Sequence, residues 1–280
     1  MKDQMKKILP LAFVVLAGAA GGILRGMELT GCYDDVTGLY TSGPVTYVLL
    51  GFSAVIVLLC LLLALVKKSD AWPYTQLYAC GVPGAMLCML SGLVMLAAGV
   101  MRVPVFVQEG KYSNLLFGIL TILCGISLIA LAAARKQHRM PEMTGFGAVV
   151  TVFWGCFMLV LVFMEHPVEP VELLYLYDLL AMCFALLSIY GAAGQIFGRS
   201  RMRLTLFSSL SAVFLLLVSG FGRFMTFLDT GSTHYITQVA FRMVVYLALL
   251  LYCLSNAASL LINAGEESAD DSEDEPNDEI

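Results

Sequence analysis

Six charged side chains sit inside or at the ends of long apolar runs: Arg25, Arg102, Glu165, Asp178, Arg223 and Arg242. An ionised group in hydrocarbon costs about 2.5–3.5 kcal/mol on insertion scales, so each needs a partner, a reach to the interface, or a task. Asp178 lies roughly two turns into the run Val171–Phe197, and Arg242 lies at a matching depth in the last apolar run. Equal depth predicts an intramembrane ion pair, Asp178 with Arg242. Arg25, Arg102 and Arg223 close three other runs at corresponding points, as Leu24-Arg25, Met101-Arg102 and Gly222-Arg223. Guanidinium groups bind carboxylate and phosphate through paired hydrogen bonds, which makes these three candidate anion-binding residues. If they converge, their repulsion is weakly screened outside water and calls for acids or a bound anion. Glu165, at the fourth such exit, and Tyr177, beside Asp178, are accessory polar residues. Two simpler accounts compete. Terminal arginines can snorkel to headgroups, and Tyr175 and Tyr177 fit an interfacial aromatic belt.

The elements that position these charges are membrane helices. Of 280 residues, 59% are hydrophobic and 13% charged, against about 25% charged in a soluble domain. Eight apolar runs approach the ~20 residues needed to cross a bilayer. They cover Ile8–Gly26, Val45–Val66, Val82–Met101, Leu115–Ala134, Gly145–Met164, Leu173–Phe197, Leu204–Gly222 and Val239–Ile262. Helices satisfy their own backbone in lipid, so the expected class is an all-α polytopic bundle of eight transmembrane helices. The N-terminal stretch has the basic start of a signal peptide, but its length and the seven following runs read as a retained first span.

The loops give an orientation. Lys2, Lys6, Lys7, Lys67, Lys68, Arg135, Lys136, Arg139, Arg199, Arg201 and Arg203 fall on one side of an eight-span model. Only Arg25, Arg102, Lys111, Arg223 and Arg242 fall toward the other. This bias places both termini in the cytoplasm. The runs then form four tandem hairpins, a weak internal repeat. Residues 1–264 make the transmembrane domain. Residues 265–280 make a solvated acidic tail with nine acids from Glu266 to Glu279, which turns a mildly basic body into a chain of net charge -5. Gly18, Gly21 and Gly22, and Gly191, Ala192, Ala193 and Gly194, allow close helix approach.

Catalytic signatures are missing: there is no HExxH, GxSxG or phosphate-binding GxxxxGK[ST], so no enzymatic activity is expected. Of the eight cysteines, Cys60, Cys88, Cys124, Cys156, Cys183 and Cys253 lie in apolar runs and read as buried thiols. His138, His166 and His234 are isolated. A metal held by Glu165, His166, Asp229 and His234 would require two spans to be neighbours, and separate loop residues are the simpler account. Asp34, Asp35 and Thr37 lack the spacing of a calcium loop. No metal or cofactor is expected.

The segment LRGMELTGCYDDVTGLYTSG resembles the start of some uncharacterised multispanning membrane proteins of Firmicutes-type bacteria, through Arg25, Asp35, Thr37, Gly38 and Leu39. The resemblance covers about twenty residues and implies a bacterial cytoplasmic membrane, with no activity attached. The residues themselves suggest a transporter or channel-like carrier with an outward-facing cationic site for a small anionic solute. The alternative is a non-transporting scaffold, sensor or partner subunit whose acidic tail docks a cytoplasmic protein. The lipid bilayer is a partner in both readings, and nucleic acid in neither.

Overall fold

The computed structural model describes residues 2–31, 43–67, 74–78, 82–109, 112–137, 142–164, 175–199, 201–230 and 236–263. The described chain is helical: α1 (Lys2–Gly31), α2 (Pro44–Val66), α3 (Tyr74–Leu77), α4 (Val82–Glu109), α5 (Tyr112–Gln137), α6 (Glu142–Met164), α7 (Leu176–Ile196), α8 (Met202–Thr230) and α9 (Ile236–Asn263). All but α3 are long and apolar enough to span a membrane, with apolar stretches of 21 to 25 residues. The protein is therefore an integral, multi-pass membrane protein.

Several helices outrun the apolar windows that predict them. α1 continues past Gly26 to Gly31, and α8 past Gly222 to Thr230. Hydropathy marks the part of a helix that meets lipid. The backbone ladder continues as long as the polar side chains find partners. The four-residue α3 carries no periodic signal of its own and was not expected.

α8 is the hub. It packs against α1, α2, α7 and α9, while α4 packs on α5 and α9, and α6 bridges α5 and α7. Burial follows this plan: 72% of the apolar window of α8 is buried, against 28% of that of α2. Leu206, Leu210, Val213, Phe214 and Val218 of α8 sit in the core, whereas Leu58, Leu62 and Leu65 of α2 point outward. Lipid is as apolar as leucine, so outward-facing apolar residues cost nothing and packing must hold the helices together.

Glycine permits that packing at two seams. A Cβ on Gly22 of α1 would lie 2.7 Å from Phe221 Cβ of α8, and one on Gly21 would lie 2.8 Å from Val218 Cγ2. Across α4 and α5 the approach is backbone to backbone. A Cβ on Gly92 would lie 2.9 Å from the Gly125 carbonyl, and one on Gly99 would lie 3.1 Å from the Gly118 carbonyl. The α1 glycines were expected to do this. The α4–α5 pairs were not, because these glycines lie seven residues apart in each run rather than clustered.

Candidate functional site

Two buried polar clusters occupy opposite ends of the bundle. The first gathers where the C-terminal part of α1, the start of α7, the C-terminal part of α8 and the first half of α9 meet. Arg25 and Glu28 are three apart on α1, on one helix face, and form a buried ion pair. The Arg25 guanidinium also lies 4.9 Å from the centre of the Tyr177 ring, a favourable cation–π geometry. The Tyr177 hydroxyl accepts a hydrogen bond from Ser53 Oγ of α2 at 3.3 Å.

The next residue on α7, Asp178, meets Arg223 of α8. Arg223 Nε donates to Oδ1 at 3.3 Å, and Nη2 donates to Oδ2. The pair is bidentate and crosses between helices. Its exposure is uneven, with 21% of the Arg223 side chain open against 7% of Asp178. Two-point binding fixes orientation as well as charge, which partly offsets desolvation. The stem of Arg25 packs on Gly222, where a Cβ would lie 3.0 Å from Arg25 Cβ. That glycine brings the Arg25 and Arg223 backbones together.

This corrects the pairing expected from depth. Asp178 binds Arg223 rather than Arg242. Arg242 is buried one turn before Tyr246 on α9, and the Tyr246 ring stands among Asp178, Arg223 and Arg242. The Tyr246 oxygen is buried, with Asp178 within reach of its hydroxyl. Depth alone could not choose between two arginines at one level. The packing of α7 on α8 chooses.

The expected convergence of three arginines also divides. Arg25 and Arg223 meet around Tyr177 and Asp178. Arg102 of α4 turns to a different neighbourhood, with its guanidinium 4.0 Å from the centre of the Phe241 ring and 5.5 Å from that of Phe117. Glu165 lies outside the described residues, as do His166, His234 and the Asp35–Leu39 loop.

The second cluster is centred on Arg135, at the end of α5. The sequence reads it as a solvated cation of a basic turn, yet it is only 3% exposed. Nε donates to the Tyr74 hydroxyl at 3.1 Å, Nη1 to Ser255 Oγ at 3.4 Å and Nη2 to Asn256 Oδ1 at 2.7 Å. The guanidinium lies 4.7 Å from the centre of the Tyr78 ring and 5.5 Å from that of Tyr252. Burial pushes the Tyr78 phenol well above its usual range, so that ring meets the cation as a neutral face. From Asn256 the hydrogen bonds run inward. Nδ2 donates to Ser188 Oγ at 3.4 Å, Ser188 pairs with Ser209 at 2.7 Å, and Ser209 donates to the Thr205 carbonyl at 2.7 Å.

The six described cysteines are free thiols, and Cys60, Cys88, Cys124 and Cys253 are buried. Compared with family models, curated proteins and solved structures, the chain matches none. Function must therefore be argued from these two clusters.

Neither Glu28, just beyond the first apolar run, nor Arg135 was expected to be buried. For Glu28 a signal existed: Arg25 and Glu28 have the i, i+3 spacing of a helical ion pair, which argues that α1 continues beyond its apolar window. For Arg135 none did, since basic residues after a span ordinarily face water.

Proposed function

We propose that the protein is a membrane carrier for a small anionic solute, a carboxylate or phosphate, with Arg223 as the solute's ligand and Asp178 as the internal counter-ion that the solute displaces. The Arg223–Asp178 pair carries this reading. It is intramembrane, bidentate and interhelical, and the Arg223 side chain is the more open of the two. An arriving carboxylate or phosphate offers Arg223 the same two-oxygen geometry that Asp178 offers. Exchange would release α7 from α8, so binding would be coupled to helix movement. The Arg25–Glu28 pair differs because both partners belong to α1 and their exchange would free no helix. Arg25 instead supports the first turn of α7 through the Tyr177 ring.

The bias of Lys and Arg supports a reading with both termini in the cytoplasm, and on that reading the Arg223 cluster faces the outer side. Thermal unfolding of the purified protein against a panel of small carboxylates and phosphates tests the reading. A stabilising anion at about 100 times its dissociation constant adds about 2.7 kcal/mol. The gain should vanish in Arg223→Gln. Absence of stabilisation by every anion, or full stabilisation of Arg223→Gln, would refute it.

A further inference from the structure

Helix α3 has only four residues, yet Tyr74, Leu77 and the following Tyr78 are buried. So short a helix cannot hold itself, and its place must come from tertiary contacts. Two clamps supply them. Arg135 of α5 donates to the Tyr74 hydroxyl and faces the Tyr78 ring, while Tyr74 and Tyr78 stack with centroids 4.5 Å apart. Asn263, the last residue of α9, donates from Nδ2 to the Gln76 carbonyl at 3.2 Å and the Leu77 carbonyl at 2.9 Å. Those carbonyls belong to the helix end that has no intrahelical donors, so Asn263 caps α3 from outside.

Beneath this clamp lies something hydrocarbon packing does not require. The bonded series from Arg135 through Asn256, Ser188 and Ser209 crosses α5, α9, α7 and α8. Each member is buried. Between α5, α6, α7 and α9, a void of about 10 Å³ bordered by Ser127, Thr151 and Tyr252 has room for about one water.

We infer that α3 is a plug, latched by Arg135 and Asn263, that closes the Arg135 end of the bundle over a polar path formed by Asn256, Ser188 and Ser209. It would serve as the second gate of the carrier, opposite the Arg223–Asp178 latch. It rests on the carrier reading only for what passes through.

The test needs no solute. Cys88 of α4 is fully buried and its Sγ lies 3.7 Å from the Leu128 carbonyl of α5, about two turns below Arg135. Cys124 is equally buried on α5, about three turns from Arg135, and reports on the bundle as a whole. The full chain in liposomes is treated with a small maleimide, and labelling of each cysteine is followed by mass mapping. Asn263→Ala removes the cap of α3, and Tyr74→Phe removes the hydroxyl that accepts from Arg135 Nε. Either variant should raise the labelling rate of Cys88 about tenfold, the change expected when a local opening loses one or two hydrogen bonds, with Cys124 still protected. Unchanged Cys88 labelling in both variants would overturn the plug. So would a parallel rise at Cys88 and Cys124, which would mean general loosening. Failure of anion binding at Arg223 would leave this result intact, and the converse also holds.

Discussion

Breaking the Asp178–Arg223 pair should have unequal consequences depending on which side is removed. Two unit charges about 4 Å apart attract by about 4 kcal/mol at the effective dielectric of a partly wet site. Desolvation and the exposure of Arg223 reduce what a double-mutant cycle can read, to about 1–3 kcal/mol of coupling. Arg223→Gln leaves the carboxylate behind, 7% exposed and short of reach, and should cost about 3–5 kcal/mol. Asp178→Asn leaves the guanidinium behind on a long side chain that is 21% exposed and can reach toward the interface, and should cost less. The double variant should recover part of the larger loss. Unfolding in mixed micelles, followed by helical circular dichroism, gives all four corners. A second cycle on Asp178 and Arg242 is the control, since the Tyr246 ring stands among those charges. Zero coupling at 178/223, or stronger coupling at 178/242, would refute the assignment.

Four further outcomes are expected. Gly92→Ala should destabilise by about 1–3 kcal/mol, because its Cβ would meet the Gly125 carbonyl at 2.9 Å and the Ile129 nitrogen at 3.0 Å, neither of which can rotate away. Gly51→Ala, with nothing within 4 Å, should be neutral or gain up to about 1 kcal/mol of helix propensity in the same assay. Trp154→Phe should cost about 1 kcal/mol, since Nε1 donates to Thr121 Oγ1 at 3.0 Å in a buried contact. Tyr78 makes stability depend on alkaline pH: its folded phenol is held above the usual 10, so the folded state keeps a proton the unfolded state releases. Stability should be unaffected by this group below that pH and fall above it, with a shallower fall in Tyr78→Phe.

Hydropathy made the eight helices legible because lipid imposes length and apolarity on each span separately. It also made the level of each charge legible, since position along a helix is position along the membrane normal. It could not show azimuth. Asp178 matched Arg242 in depth, but α7 turns it to the side where α8 brings Arg223. Arg102 matched Arg25 and Arg223, but α4 turns it to Phe241 and Phe117 instead. Close approach was legible only where glycines cluster, as on α1. On α4 and α5 the glycines are spread a heptad apart, at Gly92 and Gly99 and at Gly118 and Gly125, and only their pairing across the seam makes the gap.

Arg135 shows how one residue can satisfy two rules that are usually read together. Its place in the chain, beside exposed Lys136 at the end of a span, fits the charge bias that orients a membrane protein. That bias acts during insertion, when the loop is still solvated. Packing acts afterwards, and here it folds the guanidinium back under α3 into a cage of tyrosine faces and amide and hydroxyl acceptors. Lys136 remains outside to carry the topological charge. Arg135 is released from that task to hold α3 against α9, a division that spacing in the sequence does not reveal.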